Sequence, residues 1–186
     1  MLPKDAKLLR LTSARLDMGL SLEAYSLLKS LDPRSPEFYH AAVSMVVCYG
    51  RPFTENWGAG SLFEEYPNFP DFADEGLNLR HRRLMDLRNK FMSHSSCEGR
   101  KLVILPPGSE NPATRERVAS LDHIVGQREF SDARFFDWLK DVVVELKGRL
   151  DRDVRTRLQE IAGHLSAPEE MATGYETFSW TVPGEP

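Results

Sequence analysis

The sequence predicts a mainly α-helical fold, on three observations. Apolar residues recur at helical spacing through the first third, again over 77–95, and from Phe135 onward. Two of these stretches open on serines suited to cap a helix, Ser35 and Ser131. Only the segment near 101–126 has the β-branched, turn-bounded character of a small β-hairpin or paired extended segments.

Leu8, Leu9, Leu11 and Leu16 give the first stripe, with a weak point at Met18-Gly19. Ser21 then caps a second segment in which Leu22, Tyr25, Leu28 and Leu31 share a face, until Asp32-Pro33 ends it. Ser35-Pro36 is a sharper start, because proline at the first helical position needs no amide hydrogen. PEFYHAAVSMVVCYG follows, the most apolar helix, with Gly50 as a left-handed stop. RPFTENWGAGSLFEEYPNFPDF has no periodicity but many aromatics, as expected of an ordered loop packed on the helices. After the helix at 77–95, KLVILPP and VASLDHIV supply the extended pair. The last helix shows Phe135, Phe136, Leu139, Val142, Val143, Leu146 and Leu150 on one face and continues to about Leu165, with a bend expected at Gly148. Residues 1–165 therefore read as one domain and 166–186 as an irregular tail, with Phe178 and Trp180 packing back.

With 186 residues, 41% hydrophobic and 28% charged, the chain suffices for one sizeable core. Net charge is −4, which disfavours a protein that coats nucleic acid through its whole surface. The two cysteines, Cys48 and Cys97, exclude a disulfide framework and a four-thiolate zinc site; Cys48 reads as core. No signal-peptide pattern opens the chain, and the apolar run at 41–49 is too short for a bilayer, so a soluble, cytoplasmic protein without membrane partners is expected.

The chemistry concentrates in LNLRHRRLMDLRNKFMSH. On an ideal helix, at about 100° per residue, Arg88 falls inside the apolar arc of Leu77, Leu84, Leu87 and Phe91, flanked by Met85 and Met92, with His81 near it two turns earlier. An arginine there must be paired, hydrogen-bonded or at an interface, and a buried Arg–carboxylate pair is the bland explanation. The run Arg88-Asn89-Lys90-Phe91-Met92-Ser93-His94 offers another. It resembles the signature of the HEPN superfamily (higher eukaryote and prokaryote nucleotide-binding domains): an arginine, a polar residue, and a histidine a few positions on.

That resemblance implies an antiparallel helical bundle that forms a homodimer, with paired Arg-His motifs in a cleft at the two-fold axis. In active members the cleft cuts RNA without metal or cofactor. His94 would act as general base on a ribose 2′-hydroxyl or as acid to the leaving oxygen. Arg88 would grip the scissile phosphate, and Asn89 would orient it or Arg88. Products would be a 2′,3′-cyclic phosphate and a 5′-hydroxyl. A toxin or phage-defence setting, with an antitoxin protein as partner, is the analogy that follows. Positions 80–101 hold seven Lys or Arg against Asp86 and Glu98, a net +5, so Arg80, Arg82, Arg83, Lys90, Arg100 and Lys101 are the expected RNA contacts. The alternatives are a non-catalytic HEPN-like module that binds nucleic acid or nucleotide or only dimerises, and a helical interaction protein in which Arg88 is structural.

Other signals are weaker. A site of His81, His94 and Cys97 lacks a second thiol pair, so no metal is expected. Trp57-Gly58-Ala59-Gly60-Ser61 lacks the lysine of a P-loop and reads as a turn. Arg51 either reaches the same cleft or, as expected, pairs with a helix C-terminus, while His40, His123 and His164 are structural or on the surface. Glu64-Glu65 and Glu169-Glu170 are solvated acids.

Overall fold

The computed structural model describes residues 5–54, 60–89, 100–111, 115–120, 122–127 and 133–163. Among them the chain forms four α-helices and one two-stranded sheet. The helices are α1 (Ala6–Leu28), α2 (Pro36–Gly50), α3 (Glu75–Leu87) and α4 (Ala133–Ala162). Strands β1 (Arg100–Leu105) and β2 (Asp122–Gln127) pair antiparallel, Arg100 opposite Gln127 and Leu105 opposite Asp122. The mainly helical character and the small hairpin thus match the sequence reading. The expected cap at Ser131, the turn at Trp57-Gly58-Ala59, and the tail with Phe178 and Trp180 lie outside the described residues.

Local chemistry fixes the helix starts. Ser35 accepts the Phe38 amide at 3.1 Å, with Pro36 in the first turn. Asp5 caps α1 by accepting the Leu8 amide, and Asp74 caps α3 by accepting that of Gly76. In α1 the structure departs from expectation. The helix runs unbroken through Met18-Gly19, and Ser21 is no cap: it is buried and its hydroxyl donates to the Met45 carbonyl of α2 at 2.9 Å. The inward face is Leu11, Ala14, Met18, Ser21, Tyr25 and Leu28, spaced three and four apart, while Leu16 is 64% exposed. Small residues at 14 and 21 let α2 and α4 approach, and leucine content alone points to the wrong side.

α4 is the spine of the bundle. Phe136, Leu139, Val142, Val143, Leu146, Leu150 and Val154 are buried along one continuous helix that passes Gly148. Polar clamps join it to its neighbours: Tyr25 donates to Asp137 at 2.5 Å, Arg157 pairs with Asp5, and Arg149 pairs with Asp71. Asp5 and Tyr25 meet Arg157 and Asp137, and Arg80 and Arg83 meet Trp138 and Phe135, so α1 and α3 both lie antiparallel to α4. The described parts of the aromatic segment after α2, 51–54 and 60–72, do pack as an ordered loop. It forms 3-10 turns at Arg51–Phe53 and Leu62–Glu64 and buries Phe53, Leu62, Tyr66 and Phe69. No described helix is long and apolar enough to cross a membrane.

Candidate functional site

Leu84 and Leu87 are buried against the bundle, and Arg88 and Asn89 continue the helix in a wider π-type turn. Arg88 is half-buried, and the last turn of α3 passes over the C-terminal end of α2. Its aliphatic stem lies across Gly50. A β-carbon at that glycine would stand 2.8 Å from Arg88 Cγ, 3.2 Å from Cδ and 3.4 Å from Cβ. Gly50 therefore does not stop α2 in a left-handed turn. Its φ of −80° and ψ of −20° are ordinary helix, and Arg51 continues helically. The glycine is there for close approach.

From this seat the Arg88 guanidinium reaches the next residue, where Nη1 donates to Asn89 Oδ1 at 3.0 Å. Among the described residues it meets no carboxylate within 4.0 Å, so the buried ion pair expected of a purely structural arginine is not formed there. Among the described residues, one amide acceptor leaves most of a guanidinium's five donors unspent. The stem is fixed by packing while the head presents donors beside an exposed amide, which suits a bidentate grip on an anion. His94 and Lys90 lie outside the described residues.

The other basic positions divide. Arg80 is largely covered, its guanidinium over the Trp138 ring at 5.4 Å and 3.9 Å from Asp141. Arg83 lies over Phe135 at 5.8 Å. Arg82 points outward and bonds Glu75 at 2.5 Å. Arg100 and Lys101 open β1, opposite Gln127 and Gly126. Arg51 pairs with Asp17 of α1 at 3.3 Å.

His81 belongs to the core. Its Nδ1 is 2.8 Å from the Tyr49 hydroxyl, and Phe53 and Phe69 meet its ring edge-on at 4.9 and 4.7 Å. Burial, with a smaller contribution from the Arg82 charge, pushes its pKa down to about 4. It is thus neutral at physiological pH, and its tautomer sets whether Nδ1 accepts from the Tyr49 hydroxyl or donates to it. Sequence reasoning placed His81 near the apolar arc and missed this partner. The available signal was the density of aromatics in the loop after α2, though nothing local says which histidine they enclose. Cys48 is buried, as expected, and burial raises its thiol pKa.

A cavity of about 190 Å³ between α1, the segment after the Leu62–Glu64 turn and α4 lies away from Arg88 and is lined by Lys7, Glu65, Tyr66, Asp153 and Arg157 among others. Most of these polar groups already pair: Glu65 with Arg10, Tyr66 with Asp153, and Arg157 with Asp5. No protein-family model, curated protein or solved structure matches this chain.

Proposed function

We propose that this protein is a HEPN-like, metal-independent endoribonuclease in which Arg88 and His94 do the chemistry and Asn89 supports Arg88. The observation behind this reading is the seat of Arg88. Its stem is packed on Gly50, and among the described residues its head bonds only an exposed amide and meets no neutralising carboxylate. A structural arginine in an apolar arc is normally consumed by a partner; among the described residues this one keeps donors for a ligand.

In the reaction, Arg88 would bind the non-bridging oxygens of the scissile phosphate and stabilise the added charge of the pentacoordinate transition state. His94 would take the 2′-hydroxyl proton, and a symmetry-related His94 in a homodimer would protonate the leaving 5′-oxygen. If the protein is a toxin, a neutralising partner protein accompanies it.

The test is incubation of purified protein with single-stranded RNA in EDTA, beside Arg88→Ala and His94→Ala. Cleavage by the wild type alone, leaving 2′,3′-cyclic phosphate ends, supports the enzyme. Equal activity in all three samples marks a contaminant and ends the mechanism. RNA binding without cleavage selects the non-catalytic HEPN-like alternative.

A further inference from the structure

α1 has two apolar faces. One is the buried face that packs in the bundle, from Leu11 to Leu28. The other, on the opposite side of the helix, carries Leu9, Leu16, Leu20 and Leu27. At about 100° per residue these four fall within about 40° of one another. Leu16 is 64% exposed, Leu27 52% and Leu20 37%, and Leu9 is half-buried. Single exposed leucines are ordinary, but the solvent side of a helix is normally polar, and here four leucines form one narrow seam. Between Leu9 and Leu27, Glu23 is the only charged residue within about 60° of that seam.

Gly19 is a second, independent observation. It sits in the middle of α1 on the flank of the seam, where glycine weakens a helix relative to alanine. A β-carbon there would meet nothing within 4 Å among the described residues, so packing within the chain does not call for a glycine. Thr12, Gly19 and Ser26, seven apart, keep this flank low, as the close approach of another backbone requires.

The order of the leucines specifies the occupant. They are spaced seven, four and seven, a heptad pattern that reads the same in both directions about position 18. An antiparallel second α1 therefore sets Leu9 opposite Leu27 of the second copy, and Leu16 opposite its Leu20. Glu23 then faces Ser13, whose hydroxyl can donate to the carboxylate, and the two copies of Gly19 meet at the axis. Parallel pairing would instead set Glu23 against Glu23, two like charges on an apolar seam.

We infer that α1 is a self-association surface on which two copies of this chain pair antiparallel across a two-fold axis, along the Leu9–Leu27 seam. The seam is on α1 and Arg88 follows α3, so the inference goes beyond the nuclease reading and does not rest on it. About 27 Å long and one helix wide, the seam is at the small end of stable interfaces, and association at about 10–100 µM is expected.

The experiment is sedimentation velocity of the full chain from about 1 to 200 µM, a range over which the wild type passes from monomer to dimer. Leu16→Glu raises the dissociation constant more than about ten-fold, and so does Gly19→Leu, which fills the axis. Ile104→Glu, at a 54% exposed apolar position on β1, changes it by less than about two-fold. Circular dichroism checks folding. If Leu16→Glu does not fold, Gly19→Leu decides, because leucine favours the helix over glycine. In a Cys97→Ser background, mild oxidation cross-links Leu9→Cys/Leu27→Cys, whose thiols are about 27 Å apart within one helix, and neither single variant. A wild type that stays monomeric overturns the inference, whether other residues of the chain or a different protein cover the seam. So does a dimer that survives both Leu16→Glu and Gly19→Leu, which is then held elsewhere, as at a cleft between Arg-His motifs. Cross-linking by a single variant marks parallel pairing and overturns it as well.

Discussion

Replacing Gly50 by alanine separates two forces of opposite sign. The backbone at Gly50, φ −80° and ψ −20°, suits alanine. With open space around it, Gly50→Ala would stabilise the protein by about 0.4–1 kcal/mol, by restricting the unfolded chain. The space is not open: the new methyl would stand 2.8 Å from Arg88 Cγ. That carbon is near the root of the side chain, so it clears only if Arg88 leaves its rotamer or α3 shifts, at a cost of about 1–3 kcal/mol. The single variant is therefore expected to lose about 1 kcal/mol net. In an Arg88→Ala background Cγ and Cδ are gone, and the remaining Cβ, at 3.4 Å, is an ordinary contact. There Gly50→Ala should stabilise, so the sign reverses and the coupling energy is about 2 kcal/mol. Urea unfolding of the four proteins, followed by far-UV circular dichroism, measures it. If Gly50→Ala shifts stability by the same amount in both backgrounds, within about 0.5 kcal/mol, Gly50 does not seat Arg88 and the argument for a positioned guanidinium fails.

Acid should weaken the fold through His81. The unfolded chain takes up this proton near pH 6.5, whereas the folded protein resists until about pH 4. The stabilisation is thus full above pH 6.5 and lost as pH falls toward 4, about 3 kcal/mol in all. Comparing urea midpoints at pH 7 and about pH 4.5 should show a drop that largely disappears in Tyr49→Phe/His81→Leu, which removes both hydrogen-bonding groups. An unchanged pH slope in that variant would rule out His81 as its source. Ser21→Ala should cost about 0.5–1 kcal/mol, the lost hydrogen bond to the Met45 carbonyl less a gain in helix propensity. A gain in stability instead would mean that the bond contributes nothing net.

What the sequence determined by itself is local. The cap at Ser35-Pro36, the burial of α2 and α4, the hairpin strands and the ordered aromatic loop follow from side-chain chemistry within a few residues and from periodicity. Expectations failed where the deciding contact lies far along the chain. Leu16 counts as apolar in any window, yet the bundle buries Met18 and Ser21 instead, and an acceptor for the serine hydroxyl waits at Met45. Gly50 looks like a helix stop until Arg88, 38 positions later, is seen lying across it. His81 resembles a neighbour of the motif until Tyr49, Phe53 and Phe69 close around it. For the candidate site, the sequence supplied Arg88 and Asn89 as residue types, but only the tertiary structure decided that Arg88 keeps its head from a described carboxylate and that Arg80 and Arg83 meet rings on α4. The reason is physical: propensity and pattern act along the chain, whereas close approach, desolvation and stacking depend on which distant backbones pack together.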